Sequence, residues 1–328
     1  MYSRQRAEDN ILFGYDAANE ARRELLVLWN VAAFLVTYAR LADWTPASGI
    51  GTGTALELPA GATALDRWIV SRAAALAAEC RALLADFDAR GATLAIGAYI
   101  DDLSQWYLRR SRRRLSRSAD VADRDAAFGA LHLALVSVIK VCAPILPFLA
   151  EELYQVLVAE PAAAAGSGTP DSVHLTAWPD AQLDALRDAP LEAAMVDLRR
   201  AVDLGRTLRS GAGIKVRQPL AQVWLALPGG RLGGGGIGAA DETALLELLA
   251  EDLNVRTVTL IGDGSDLVER RVKVLLPILG QRGKGGLIPA VMAAARADAV
   301  EYLPDGGVRL GGHDLAADEV EIQATPRP

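Results

Sequence analysis

Apolar residues recur along the first half of the chain with the period of an α-helix. Between residues 16 and 41, Leu25, Leu28, Trp29, Ala32, Leu35, Val36 and Ala39 fall at i, i+3, i+4 and i+7. A Gly/Thr/Pro-rich stretch, 45–62, reads as a loop. The stripe Leu65, Trp68, Ile69, Leu76, Cys80, Leu83 and Phe87 predicts a second helix over 64–87, with Gly91 as a break. Leu94, Ile96, Ile100, Leu103 and Tyr107 predict the buried side of a third, over 93–115. A fourth begins in the acidic run 120–125, which suits a helix N-terminus, and buries Phe128, Leu131, Leu135, Val138 and Cys142. Pro144 stops or kinks it, and Pro147 opens a fifth helix, 148–159. Five amphipathic helices with short connections make a bundle.

The pattern then changes. Residues 161–172 read as a flexible connection and 172–179 as extended chain. A sixth helix, 190–210, carries Leu191, Met195, Leu198, Val202 and Leu208 on one face and ends at Gly211 and Gly213. Beyond it, strands are predicted at 222–227, 255–261, 300–303, 308–310 and 319–323, with helices at 243–251 and 287–297 and a Gly-rich loop at 228–239. Asp305-Gly306 predicts a hairpin turn. The expected architecture is mainly α: a helical bundle over 1–179, a bundle-packing helix within 180–213, and a small α+β domain over 214–328.

Composition narrows the chemistry. Of 328 residues, 51% are hydrophobic and 23% charged, a globular balance. The apolar runs 25–39 and 130–150 read as buried helices: the first is shorter than the ~20 residues of a span, and the second contains Lys140, Pro144 and Pro147. No secretory signal is visible, and no membrane partner is expected. Cys80 and Cys142 are the only cysteines, so no four-Cys zinc site can form within the chain. Both are expected as small core residues of a reducing cytosol. The three histidines lack metal-ligand spacing, and His132 reads as a core residue. Gly283-Lys284-Gly285 departs from a phosphate loop, because Ile278 and Gly285 stand where that pattern needs Gly and Ser or Thr. No self-contained catalytic constellation is present.

Net charge is −7, which argues against a nucleic-acid partner until its distribution is considered. Residues 106–117, WYLRRSRRRLSR, hold six arginines and no acid; without them the net charge falls to −13. On a helix, Arg109, Arg112 and Arg113 share one face, and Arg110 and Arg114 the neighbouring one. Such crowding is unfavourable unless phosphates or acidic groups offset it. Guanidinium groups suit RNA, since they bind phosphate bidentately and stack on bases. The alternative is a helix end paired with Asp101, Asp102, Asp120 or Asp123. Trp106 and Tyr107 serve either as stacking platforms or as core anchors.

The string 101–114, DDLSQWYLRRSRRR, resembles the anticodon-binding helical domain of isoleucyl-tRNA synthetases of class I. Further matches run in the family's order: 10–15 (NILFGY), Trp29-Asn30 with 34–40 (FLVTYAR), 65–72 (LDRWIVSR), 143–154 (APILPFLAEELY), 172–179 (SVHLTAWP), 214–220 (IKVRQPL) and 251–255 (EDLNV). The resemblance covers nearly the whole chain. It implies binding of the anticodon stem and loop of isoleucine tRNA, not of DNA. Expected contacts are Arg109, Arg110, Arg112, Arg113, Arg114, Trp106 and Tyr107, with Lys215, Arg217 and Lys284 as weaker candidates.

The family's H-I-G-H-type and K-M-S-K-S-type signatures and its inserted editing domain are missing, and Leu115-Ser116 stands where an aromatic pair is common. The resemblance is to the zinc-free type, and the chain is expected to be truncated at both ends. It implies that ATP- and Mg²⁺-dependent aminoacylation belongs to a catalytic domain this chain lacks, with that domain as a separate chain among the expected partners. No cofactor and no catalytic residue are expected here, and the location is expected to be cytoplasmic. A free-standing RNA-binding module acting in trans, or a helical interaction protein without an RNA role, are the alternatives.

Overall fold

A computed structural model describes residues 14–46, 56–118, 120–164, 166, 168–262, 268–297, 299–303 and 307–326. The protein is mainly helical, with small strands toward the C-terminus, and divides into two compact units. Unit 1 comprises 1–218 and 235–254; unit 2 comprises 219–234 and 255–328.

Unit 1 is the helical bundle. Its helices are α1 (Tyr15–Leu41), α2 (Ala64–Ala85), α3 (Ala89–Asp101), α4 (Arg109–Arg117), α5 (Val121–Cys142), α6 (Pro147–Tyr154), α7 (Glu160–Ala164), α8 (Asp180–Leu183), α9 (Ala189–Gly211) and α10 (Ala239–Leu253). Helix α5 is apolar on all sides, as the centre of a bundle requires, and nearly all of 126–142 is buried. By length and composition alone α1 and α5 are long and apolar enough to cross a membrane; α5 is 89% buried over its apolar window and α1 28%. The helix starts follow local chemistry. Thr63 and Asp66 form a capping box at α2, and the Asp120 carboxylate accepts from Ala122 N and Asp123 N at α5.

Several expectations are corrected. The break between α2 and α3 lies at 86–88, not Gly91: Phe87 takes φ +58°, and the Asp88 side chain caps α3 through Gly91 N. Phe87 is therefore exposed, and Trp29, Leu94 and Leu208 also face solvent rather than the core. The helical course of α6 continues through a π segment, Gln155–Ala159, into α7, so 161–164 are helical rather than flexible. Val173–Leu175 form a 3₁₀ turn instead of extended chain, tied down by the Glu151 carboxylate, which accepts from Ser172 Oγ and Val173 N. Helix α10 begins earlier than expected and belongs to the bundle unit, although the chain enters it from strand β1.

A second π segment, Asp102–Leu108, joins α3 to α4. Buried positions Leu103, Tyr107, Ser111 and Leu115 are four residues apart, the first step within the π segment. On an α-helix each such step drifts by about 40°. The wider π turn winds back part of that drift, so α4 enters with the inward side of α3 still inward.

Among the described residues, unit 2 holds three small sheets. Strands β1 (Leu220–Ala226) and β2 (Val255–Ile261) pair in parallel, with Leu220 opposite Val255. Strands β3 (Val268–Val274) and β7 (Val320–Pro326) pair antiparallel. Strands β4 (Val300–Tyr302), β5 (Val308–Leu310) and β6 (His313–Leu315) form an antiparallel meander. The expected hairpin pairs β4 with β5, while its turn, 304–306, lies outside the described residues. Strands β3 and β6 and helix α11 (Leu276–Gln281) were not expected from the sequence. Val274, Leu279, Val291, Val308, Leu310, Leu315 and Val320 make this unit's core, with Val291 contributed by α12 (Ile288–Arg296).

Candidate nucleic-acid interface

Helix α4 divides its arginines between two jobs. Arg109, Arg112, Arg113 and Arg117 are exposed, whereas Arg110 and Arg114 turn inward beside the buried Ser111 and Leu115. The Arg110 side chain is only 8% exposed and pairs with Asp252 of α10. Burial lowers its pKa to about 10, against the opposing pull of the Asp252 charge. Arg114 lies in a fork-to-fork pair with the fully buried Asp66: Nη1 donates to Oδ1 at 3.1 Å and Nη2 to Oδ2 at 3.0 Å. Its Nε donates to Asp123 Oδ1 at 2.9 Å. Burial alone would lower the Arg114 pKa; the bonds to Asp123 and Asp66 outweigh it and hold it raised.

The expected aromatics are structural. Tyr107 is fully buried, and its hydroxyl donates to Asp66 Oδ1 at 2.7 Å and lies 3.1 Å from Ala127 O. Burial first, and the Asp66 charge second, push its pKa well up. Trp106 is half-buried beneath guanidinium groups, with Arg110 at 3.6 Å and Arg199 at 5.2 Å from its ring centroid. Neither ring is a free platform for a base. Arg110, Arg114, Trp106 and Tyr107 thus build the helix rather than face solvent.

Of the four acids expected as partners, only Asp123 pairs with the arginine helix among the described residues. Asp120 caps α5, Asp101 accepts from Gln105, and Asp102 holds Arg72 at 3.2 Å and Arg199 at 2.5 Å. The acids that matter, Asp66 and Asp252, lie 48 and 142 residues from their arginines. Arg199 and Arg206 were also missed. Their spacing of seven on α9, two helical turns, is the signal that places them on one side. Around the exposed row, Arg112 lies 5.4 Å from the Phe34 ring of α1, which packs on Tyr38 at 4.4 Å.

The weaker candidates separate. Lys215 and Arg217 are exposed and have no ion-pair partner among the described residues. Lys284, in unit 2, is tied at 2.7 Å to the buried Glu319, which also holds Arg282 at 3.2 Å. The Lys284 ammonium, chiefly, keeps the Glu319 carboxyl below its usual range. That amine is part of a structural pair. Among the described residues no group of three His, Cys, Asp or Glu side chains is placed to hold a metal.

Residues 66–224 match the family described as the anticodon-binding domain of tRNA ligase. The chain is similar to the isoleucine–tRNA ligase of Streptomyces avermitilis, 37% identical over 317 residues that make up 93% of this chain and 28% of the relative. The isoleucine–tRNA ligase of Deinococcus radiodurans is 34% identical over 94% of this chain and 26% of its own length. That of Thermus thermophilus is 35% identical over 86% and 25%. The chain thus spans about a quarter of the length of these relatives.

Proposed function

Because the chain belongs to the isoleucine–tRNA ligase family, as an anticodon-binding portion of it, we propose that it grips the anticodon stem and loop of isoleucine tRNA through the outward row of α4. The observation that carries this reading is the division of labour on α4. Two arginines are consumed by buried acids, and the remaining four are held outward, side by side, in a protein of net charge −7. Arg109, Arg112, Arg113 and Arg117 are the contacts with phosphate or base edges. Lys215 and Arg217 extend the basic surface as secondary contacts. Arg110, Arg114, Trp106 and Tyr107 hold the row in place. ATP, Mg²⁺ and the aminoacylation chemistry belong to the parts of the relatives outside this chain, and the expected compartment is the cytoplasm. Purified chain alone is expected to support no ATP–pyrophosphate exchange.

The test is equilibrium binding of an isoleucine tRNA transcript to the full chain across a salt series. Each phosphate contact contributes roughly 0.7 to 0.9 to the slope of log affinity against log salt. The triple variant Arg109→Ala, Arg112→Ala, Arg113→Ala is expected to flatten that slope by about 2. An unchanged slope would remove α4 from the interface.

A further inference from the structure

Asp252 is a meeting point for guanidinium groups of two other helices. Its carboxylate accepts from Arg109 Nη2 at 3.1 Å and from Arg110 Nη2, both on α4, and lies 3.7 Å from Arg206 Nη2 on α9. The side chain is only 9% exposed. It stands in the last turn of α10, where a negative charge opposes the helix dipole. Helix stability therefore gives no reason for an acid here.

The end of α10 is itself fixed. Asn254 closes the helix in the left-handed conformation, φ +49°, a common helix stop. The buried Arg209 of α9 donates to Leu253 O at 2.6 Å and to Asn254 O at 3.2 Å. Arg67 of α2 pairs with Asp241 at the other end, at 2.5 Å. Asp252 is thus an anion held in place from both ends of its helix, and it takes only one nitrogen of Arg109. That side chain remains 56% exposed, with its other donors directed to no partner among the described residues.

We propose that Asp252 is a positioning residue for RNA binding. It orders the Arg109 guanidinium before RNA arrives and balances the buried Arg110, so that Arg109 loses little freedom on meeting a phosphate. The proposal rests on the tRNA-binding reading above. It differs in sign from a simple charge effect. Removing an acid beside an RNA-binding surface should by Coulomb's law strengthen binding. If Asp252 positions Arg109, removing it weakens binding instead.

The experiment measures isoleucine tRNA binding across a salt series for the full chain and its Asp252→Asn, Asp252→Glu and Arg109→Ala variants. It adds the Asp252→Asn/Arg109→Ala double variant and thermal unfolding of each. Asp252→Asn is expected to weaken binding on the order of tenfold. Its salt slope should become shallower by roughly 0.7 to 0.9, and it should cause no further loss in the Arg109→Ala background. Should Asp252→Asn fail to fold, Asp252→Glu keeps the charge but moves it by one methylene. It is expected to unfold near the parent temperature and still bind more weakly; parent-like binding would overturn the proposal. Tighter or unchanged binding by folded Asp252→Asn overturns it as well. If the α4 triple-alanine variant nevertheless loses affinity, the interface itself stands. If that triple variant also binds like the parent, the interface reading falls and the positioning role with it.

Discussion

Single residues here are read by what their polar atoms find. His132 is buried in α5, with its Nε2 2.8 Å from Leu157 O and its Nδ1 without a hydrogen-bond partner among the described residues. Burial lowers its pKa from the ordinary 6.5, and the Leu157 contact only partly opposes this. The folded state therefore binds a proton on His132 more weakly than the unfolded chain, which takes one up as pH falls through about 6.5. Stability from this group is complete above that pH and is lost below it, by roughly 1.4 kcal/mol per pH unit while the folded site stays unprotonated. Urea unfolding at about pH 7.5 and 5.5 checks the sign. His132→Phe is expected to reduce the loss of stability on acidification, and an identical loss in both proteins would contradict it. The two thiols are silent by the same physics: burial raises Cys80 and Cys142 to about 12.

At the scale of the element, the arginine helix is defined by its attachments. Asp66 joins three helical segments: it closes the N-terminus of α2, accepts the Tyr107 hydroxyl from the π segment, and binds Arg114 of α4 as a fork. Removing one member of a buried ion pair leaves the other charged and unmatched. Asp66→Ala is expected to destabilise the bundle by about 3–5 kcal/mol. Denaturant unfolding measures this, and a loss below about 1 kcal/mol would show that Asp66 does not anchor the helix. All five arginines were expected as RNA contacts; only their grouping, Arg109, Arg112 and Arg113 on one face and Arg110 and Arg114 on the neighbouring one, was legible in the spacing alone. What the inward pair meets was not. Asp66 and Asp252 are remote in sequence, and an ion pair across helices leaves no periodic trace along the chain. Likewise Leu94 and Leu208 fall on apolar stripes but face solvent, because a stripe gives a direction and not the presence of a neighbour.

At the scale of the whole molecule, the helical bundle and the small α+β end could be read from the change of period, from helical in the first half to mixed beyond residue 214. The membership of α10 could not. It lies between two strands in sequence, yet it packs with the bundle unit and brings Asp252 to the arginines. Strand β3 was missed because VERRVKV alternates apolar and charged residues only imperfectly, and its partner β7 lies some fifty residues on. Total charge proved a poor guide, since an acidic chain presents a row of four outward arginines. The matching relatives are about four times longer, so the chain spans only part of their length.

The central claim is that this bundle reads the anticodon end of its RNA. The direct measurement is binding of the full chain, at fixed salt, to isoleucine tRNA and to the same tRNA with its anticodon loop replaced. RNA-binding modules that read sequence do so chiefly at unpaired loop bases, so the replaced loop is expected to bind on the order of tenfold more weakly. Equal affinity for the two RNAs would contradict the account.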